Sequence, residues 1–89
     1  MEQTISISGA SKATGFSQRQ LRGFQDKGYI ETPILITSGQ LKYRRYNAEH
    51  IRGIKLFKKY LDQGYTLPMA SQKAYEDLEK EGQDVKITE

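Results

Sequence analysis

Two groups of side chains in this 89-residue chain have the types and spacing to do chemistry. The first is Gln18, Arg19, Gln20 and Arg22, carried by the stretch SQRQLRGFQDKGYI from Ser17 to Ile30. The second is Lys42, Tyr43, Arg44 and Arg45, in the stretch LKYRRY. A guanidinium presents a planar fork of donors that fits a phosphate, or the O6 and N7 atoms of guanine together. A glutamine carboxamide fits the adenine edge in the same way, while lysine and a tyrosine hydroxyl suit phosphate oxygens. Ser11, Lys12 and Ser17 extend the set, because hydroxyls, amines and backbone N–H groups near helix starts commonly reach phosphates. Each residue also has a plainer reading. Arg22 can pair with Asp26 one helical turn on. Charges on a hairpin discourage edge-to-edge aggregation. Lys55, Lys58 and Lys59 read as a solvated helix face.

The elements that must hold these residues follow from local pattern. Ser17 is an N-cap, Gln18 to Lys27 reads as a helix, and Gly28 ends it, with Leu21 and Phe24 facing a core. Ahead of it, Ala10 to Thr14 reads as a shorter helix with Ala10 and Ala13 turned inward. Gly15-Phe16-Ser17 is the tight turn between the two. Helix, turn and helix in this order make a helix-turn-helix, whose second helix normally enters a major groove. Ile34–Thr37 and Gln40–Tyr46 read as two strands about a Ser38-Gly39 turn, a wing over 34–46 with Tyr46 toward the core. Asn47 caps a third helix with Glu49 in its first turn, and Ile51, Ile54, Phe57 and Leu61 recur at helical spacing down to Gly64. Thr66 caps a fourth helix, with Pro68 in its first turn and a narrow stripe of Leu67, Ala70, Ala74 and Leu78. The expected fold is mainly α with a small β-hairpin: a winged helix-turn-helix of four helices plus a two-stranded wing. Residues 1–78 form the domain, and 79–89, which lack periodicity, are expected to be an acidic disordered tail.

Composition narrows the function. Met1–Tyr75 carries twelve basic and five acidic residues, whereas Glu76–Glu89 carries two and six, so a basic body precedes an acidic end. That asymmetry points to a polyanionic partner for the body. Absence of cysteine excludes disulfides, thiolate metal sites and cysteine nucleophiles. His50 is the single histidine, expected on the surface of its helix, and it has no ligand partners for a metal. No nucleophile–base arrangement, phosphate-cradling glycine loop or carboxylate pair can be assembled, so neither catalysis nor a cofactor is expected. No apolar run reaches the length of a membrane span, and the N-terminus lacks a secretory core, so a cytoplasmic, nucleoid-associated protein is expected.

Longer motifs add a resemblance. Gly15-Phe16-Ser17-Gln18-Arg19-Gln20-Leu21-Arg22 with Gly28-Tyr29-Ile30, then Tyr43-Arg44-Arg45-Tyr46, then Ile51, Ile54 and Gly64-Tyr65-Thr66-Leu67, occur in one order and spacing over residues 5–78. Together they resemble the winged helix-turn-helix domain of MerR-type bacterial transcription regulators. The resemblance implies sequence-specific binding of double-stranded DNA for transcription regulation. Helix 18–27 would lie in the major groove and the wing on the backbone or minor groove. It matches Arg22 and Arg44 to family arginines. The chain departs from the pattern at Gly23-Phe24-Gln25, where the family usually carries two aromatics and a glutamate, so the expected aromatic hydroxyl is missing at Gly23. The long dimerising helix and effector-binding tail of typical members are not seen. The expectation is a DNA-binding fragment or a minimal relative without a small-molecule ligand, self-associating on DNA as a dimer or a cooperative array. Two alternatives stand beside this reading. One is an excisionase-like or architectural DNA-bending factor; the other is a protein–protein adaptor that uses the Leu67–Leu78 stripe.

Overall fold

Short polar side chains start nearly every helix of the chain. A computed structural model describes the backbone of residues 3–87 and the side chains of residues 3–81. Its elements are β1 (Ile5–Ser6), α1 (Ile7–Thr14), α2 (Gln18–Asp26), β2 (Ile34–Ser38), β3 (Leu41–Tyr46), α3 (Ala48–Asp62) and α4 (Leu67–Ile87). Ser6 caps α1 by accepting from the Gly9 N–H at 3.2 Å. Because α1 therefore starts at Ile7, its inward positions are Ile7, Ala10 and Thr14, one face of a 3.6-residue period. Ala13, expected inside, is exposed.

Both α2 and α3 begin with reciprocal capping boxes. The Ser17 hydroxyl accepts from the Gln20 N–H at 3.0 Å, and the Gln20 carboxamide oxygen accepts from the Ser17 N–H at 2.9 Å. In α3 the same exchange joins Asn47 and His50, at 2.8 and 3.0 Å. His50 thus lies buried and not on the surface, with its Nε2 3.2 Å from the exposed Glu31 carboxylate. Both helices also end alike. The Tyr29 N–H donates to the Phe24 carbonyl and the Gly28 N–H to that of Gln25; Tyr65 to Tyr60 and Gly64 to Leu61 repeat the pattern. These are Schellman closures, which need positive φ at the first residue beyond the cap, and Gly28 (80°) and Gly64 (99°) supply it.

The sheet has three antiparallel strands in the order β1-β3-β2. The wing expected from sequence is present as β2 and β3, with Ile36 opposite Tyr43, and the turn falls at Gly39-Gln40. Ile5–Ser6 add a third strand, with Ile5 opposite Tyr46 and Ser6 opposite Arg45.

One core joins all four helices and the base of the wing: Ala10, Phe16, Leu21, Ile30, Tyr46, Ile54, Leu56, Phe57, Ala70 and Ala74. Phe57 is its hub. The Phe24 ring meets it edge-on at 5.1 Å and the Phe16 ring lies 6.0 Å away, each pair within the range of favourable aromatic contact. α4 packs on α3, and the Ser71 hydroxyl donates to the Tyr29 carbonyl at 2.7 Å, fixing the end of α2 from the far side. α4 continues past Leu78 to Ile87, where the residue pattern alone gives no reason to extend it. In that extension Glu81 receives Arg52 at 2.7 Å, so part of the segment expected to be a disordered tail is helical. Residues 88–89 lie outside the described ones.

Candidate nucleic-acid interface

The site is assembled from the exposed face of α2 and the arm of β3 beside it. Leu21 is fully buried, so the residues around it on α2 are divided by helical period: Phe24 turns to the core, while Arg19 and Arg22 are exposed and Gln18 is half-exposed. The Gln18 carboxamide oxygen accepts from Arg22 Nη2 at 3.4 Å, a weak contact that leaves the guanidinium free to move.

Alternation along β3 assigns the wing residues to two faces. Lys42, Arg44 and Tyr46 share one, and Tyr46 enters the core. That draws Arg44 against α2, where its Nε donates to the Gln25 carboxamide oxygen at 2.9 Å in a partly buried bond. Tyr43 and Arg45 point the other way. Arg45 donates to the Thr4 hydroxyl at 3.0 Å and to the Thr4 carbonyl at 2.8 Å, binding β3 to the segment before β1. Between α2 and the wing runs a cleft of about 140 Å³ lined by Ser6, Ile7, Arg22 and the segment Lys42–Arg45. Two residues beyond Arg44 on the same face of β3, Tyr46 is 1% exposed, and its hydroxyl is the one buried side-chain polar atom among the described residues without a hydrogen-bond partner. Burial holds that hydroxyl above its ordinary titration range, with the charges of Arg44 and Arg22 pulling the other way.

The structure does not bring all the residues singled out from sequence together. Arg19, Arg22, Lys42 and Arg44 share one surface, with Gln18 among them. Ser17 and Gln20 stand at the start of α2, but each already serves the capping box; the Ser17 O–H and the Gln20 NH₂ remain as donors. Ser11 donates to the Phe16 carbonyl at 2.6 Å, closing the turn between α1 and α2, while Lys12 is exposed beside it. Tyr43 is exposed on the wing, and Arg45 is turned toward β1. Lys58, on α3, lies over the Phe16 ring at 5.2 Å and near Asp62, so it supports the turn. The adaptor stripe is not a free surface: Ala70 and Ala74 are buried, and Leu67 and Leu78 pack on the core.

Sequence reasoning did not single out Gln25, Thr4 or the Tyr46 hydroxyl. A signal for the first existed: Tyr46 in the core places Arg44, two residues away on one strand, against the helix. Among the described residues there is no cluster of three or more His, Asp or Glu placed to hold a metal, and no helix long and apolar enough to cross a membrane.

A model of MerR HTH family regulatory proteins matches residues 5–76, from β1 into α4. The chain belongs to the MerR helix-turn-helix family. Its family relatives include the HTH-type transcriptional regulator CueR of Yersinia pestis, 30% identical over 63 residues, or 71% of this chain and 43% of that protein. CueR of Escherichia coli O6:H1 is 25% identical over 84 residues, 92% of this chain and 60% of its own length. The chain spans about half the length of the curated relatives it matches. The match includes both the helix-turn-helix and the wing, so this chain carries the MerR-family regulatory domain, and the relatives it matches are transcriptional regulators.

Proposed function

We propose that this chain binds double-stranded DNA in a sequence-specific manner to regulate transcription, with α2 in the major groove and the wing on the adjacent backbone or minor groove. The observation that carries this reading is the Arg44–Gln25 bond. It fixes the basic face of the wing beside the exposed face of α2, so that Arg19, Arg22, Lys42 and Arg44 present one continuous cationic surface. Gln18 and the free donor of Gln20 face base edges, Arg22 reaches a guanine edge or a phosphate, and Lys42, Tyr43 and Arg44 meet phosphates. Lys12 and the Ser17 hydroxyl reach the backbone flanking the groove. Ser11 and Arg45 act at one remove, by closing the turn and by anchoring β3.

Selection of binding sites from random DNA, followed by fluorescence anisotropy on the selected duplex, tests the proposal. Binding is expected to weaken steeply with salt. Arg22→Ala is expected to weaken it about ten-fold or more, equivalent to the loss of one charged hydrogen-bonding group. Equal affinity of the selected duplex and an unrelated one overturns sequence specificity, and wild-type affinity of Arg22→Ala overturns the groove assignment. The arrangement of selected half-sites reports whether copies bind singly, as a symmetric pair or in a repeating array.

A further inference from the structure

A buried hydroxyl without a partner is expensive, and tyrosine in a core usually finds one. Phenylalanine fills the same volume without that cost, so the oxygen of Tyr46 calls for a use. Its placement supplies one. Tyr46 and Arg44 lie two apart on β3 and share a face. Arg44 is held at Gln25 of α2, and Arg22 lies one helical turn before Gln25 on that helix. Arg22 and Arg44 both line the cleft between α2 and the wing, and their charges both act on the Tyr46 hydroxyl, opposing the effect of its burial.

We propose that Arg22, Arg44 and the Tyr46 hydroxyl form a single seat for one phosphodiester group of bound DNA, in which the guanidiniums supply charge and the hydroxyl donates the hydrogen bond that fixes the phosphate's position. The inference rests on the DNA-binding reading above and assigns Tyr46 as a positioning residue within it. A phosphate oxygen at this seat accepts from a neutral hydroxyl and two cations together. That is the charge-assisted geometry in which donors are strongest, and no proton is transferred. Access needs only side-chain movement. Arg22 is exposed and tied by one weak contact to Gln18, so closing on the phosphate costs it little. No described protein group pairs with this hydroxyl, so a phosphate oxygen would meet a donor that is not already engaged within the fold.

This assignment makes stability and affinity move in opposite directions. Tyr46→Phe is expected to leave the thermal midpoint unchanged or raise it by a few degrees, because it deletes an unsatisfied buried group. It is also expected to weaken binding to the selected duplex about ten-fold, equivalent to about 1.4 kcal/mol. Replacing individual phosphates by neutral methylphosphonates then locates the seat. At one position wild-type protein loses about ten-fold or more, and Tyr46→Phe loses markedly less there than wild type, because part of the contact is already gone. Unchanged affinity of Tyr46→Phe, or equal methylphosphonate losses in both proteins at every position, overturns the seat. Failure of wild-type protein to bind any duplex instead overturns the DNA-binding reading, so the two failures are distinct.

Discussion

If Arg44 neutralises a phosphate while Gln25 only aims it, then removing each should leave a different mark on salt dependence. Four cations share the interface surface, Arg19, Arg22, Lys42 and Arg44. Counting each of these four as one released counterion, including the two that share a phosphate, their contribution to the slope of log affinity against log salt is about −3.6 per bound copy, a loss of roughly 150-fold between 50 and 200 mM salt. Arg44→Ala removes one cation, so the slope should shrink to about −2.7 and the same salt change should cost only about 40-fold. Gln25→Ala keeps all four charges. It deletes the 2.9 Å acceptor and frees Arg44, whose side chain must then be ordered by the DNA at a cost of about 0.5–1.5 kcal/mol, a loss of roughly 2- to 12-fold in affinity. Its slope should stay at the wild-type value. Fluorescence anisotropy over a salt series with the selected duplex gives both quantities. A wild-type slope in Arg44→Ala would refute the phosphate contact, and a reduced slope in Gln25→Ala would refute the division between charge and aim.

Three further outcomes follow from the same structure. His50→Ala should destabilise the domain by about 2–3 kcal/mol in urea unfolding, since it breaks the α3 capping box, strands the Asn47 N–H and empties a buried position; a loss under about 0.5 kcal/mol would show that the box contributes little. Gly23→Ala should raise stability by roughly 0.5–1 kcal/mol, because a Cβ there meets no atom within 4 Å and alanine is the better helix former. Stability should also fall at alkaline pH. Burial holds the Tyr46 hydroxyl above its ordinary value of 10.0, so an unfolded tyrosine ionises first, and the contribution present below pH about 10 is lost as pH rises toward the folded-state value. Tyr60, through its bond to Asp77, and Tyr75, through burial and Glu31, shift the same way, so Tyr46→Phe should flatten the alkaline fall without abolishing it, as read by urea midpoints across pH.

What the residue pattern conveys well is local: caps, stops and inward stripes. Ser17, Asn47, Gly28 and Gly64 each mark a boundary that backbone hydrogen bonding then respects, so α2, α3 and the wing fall close to where the pattern places them. The misreadings arise where a contact comes from elsewhere in the chain. The alternation at Ile5 and Ile7 suits an extended start to the chain, but pairing of Ile5–Ser6 with β3 ends that strand at Ser6, which then caps α1 at Ile7, ahead of the expected Ala10, and Ala13 turns outward. His50 has the composition of a surface residue, but an asparagine three positions earlier gives its Nδ1 a backbone donor and the linker gives its Nε2 a carboxylate. The site shows the same division. Residue types and charge density mark Arg22, Arg44 and Arg45 alike, yet only the strand's alternation separates the arginine that faces α2 from the one that clasps Thr4.

That separation explains how a short hairpin can hold a fixed angle to a recognition helix. A two-stranded ribbon alone is marginal in water. Here its base is held on three sides: Tyr46 in the core, Arg45 across to Thr4, and Arg44 across to Gln25. The tip has no such support, since every residue from Ile34 to Tyr43 is exposed. The wing is therefore rigid where it sets the distance between α2 and the cleft, and adaptable where Lys42 and Tyr43 meet a backbone whose path varies with sequence. A fixed base reads groove geometry, because DNA that must deform to satisfy both α2 and Arg44 at once binds less tightly. Gly23 leaves α2 with one side chain fewer for contacts, so more of the discrimination passes to this spacing, and loosening the base through Gln25 or Thr4 should blur specificity between related duplexes more than it weakens binding to the best one.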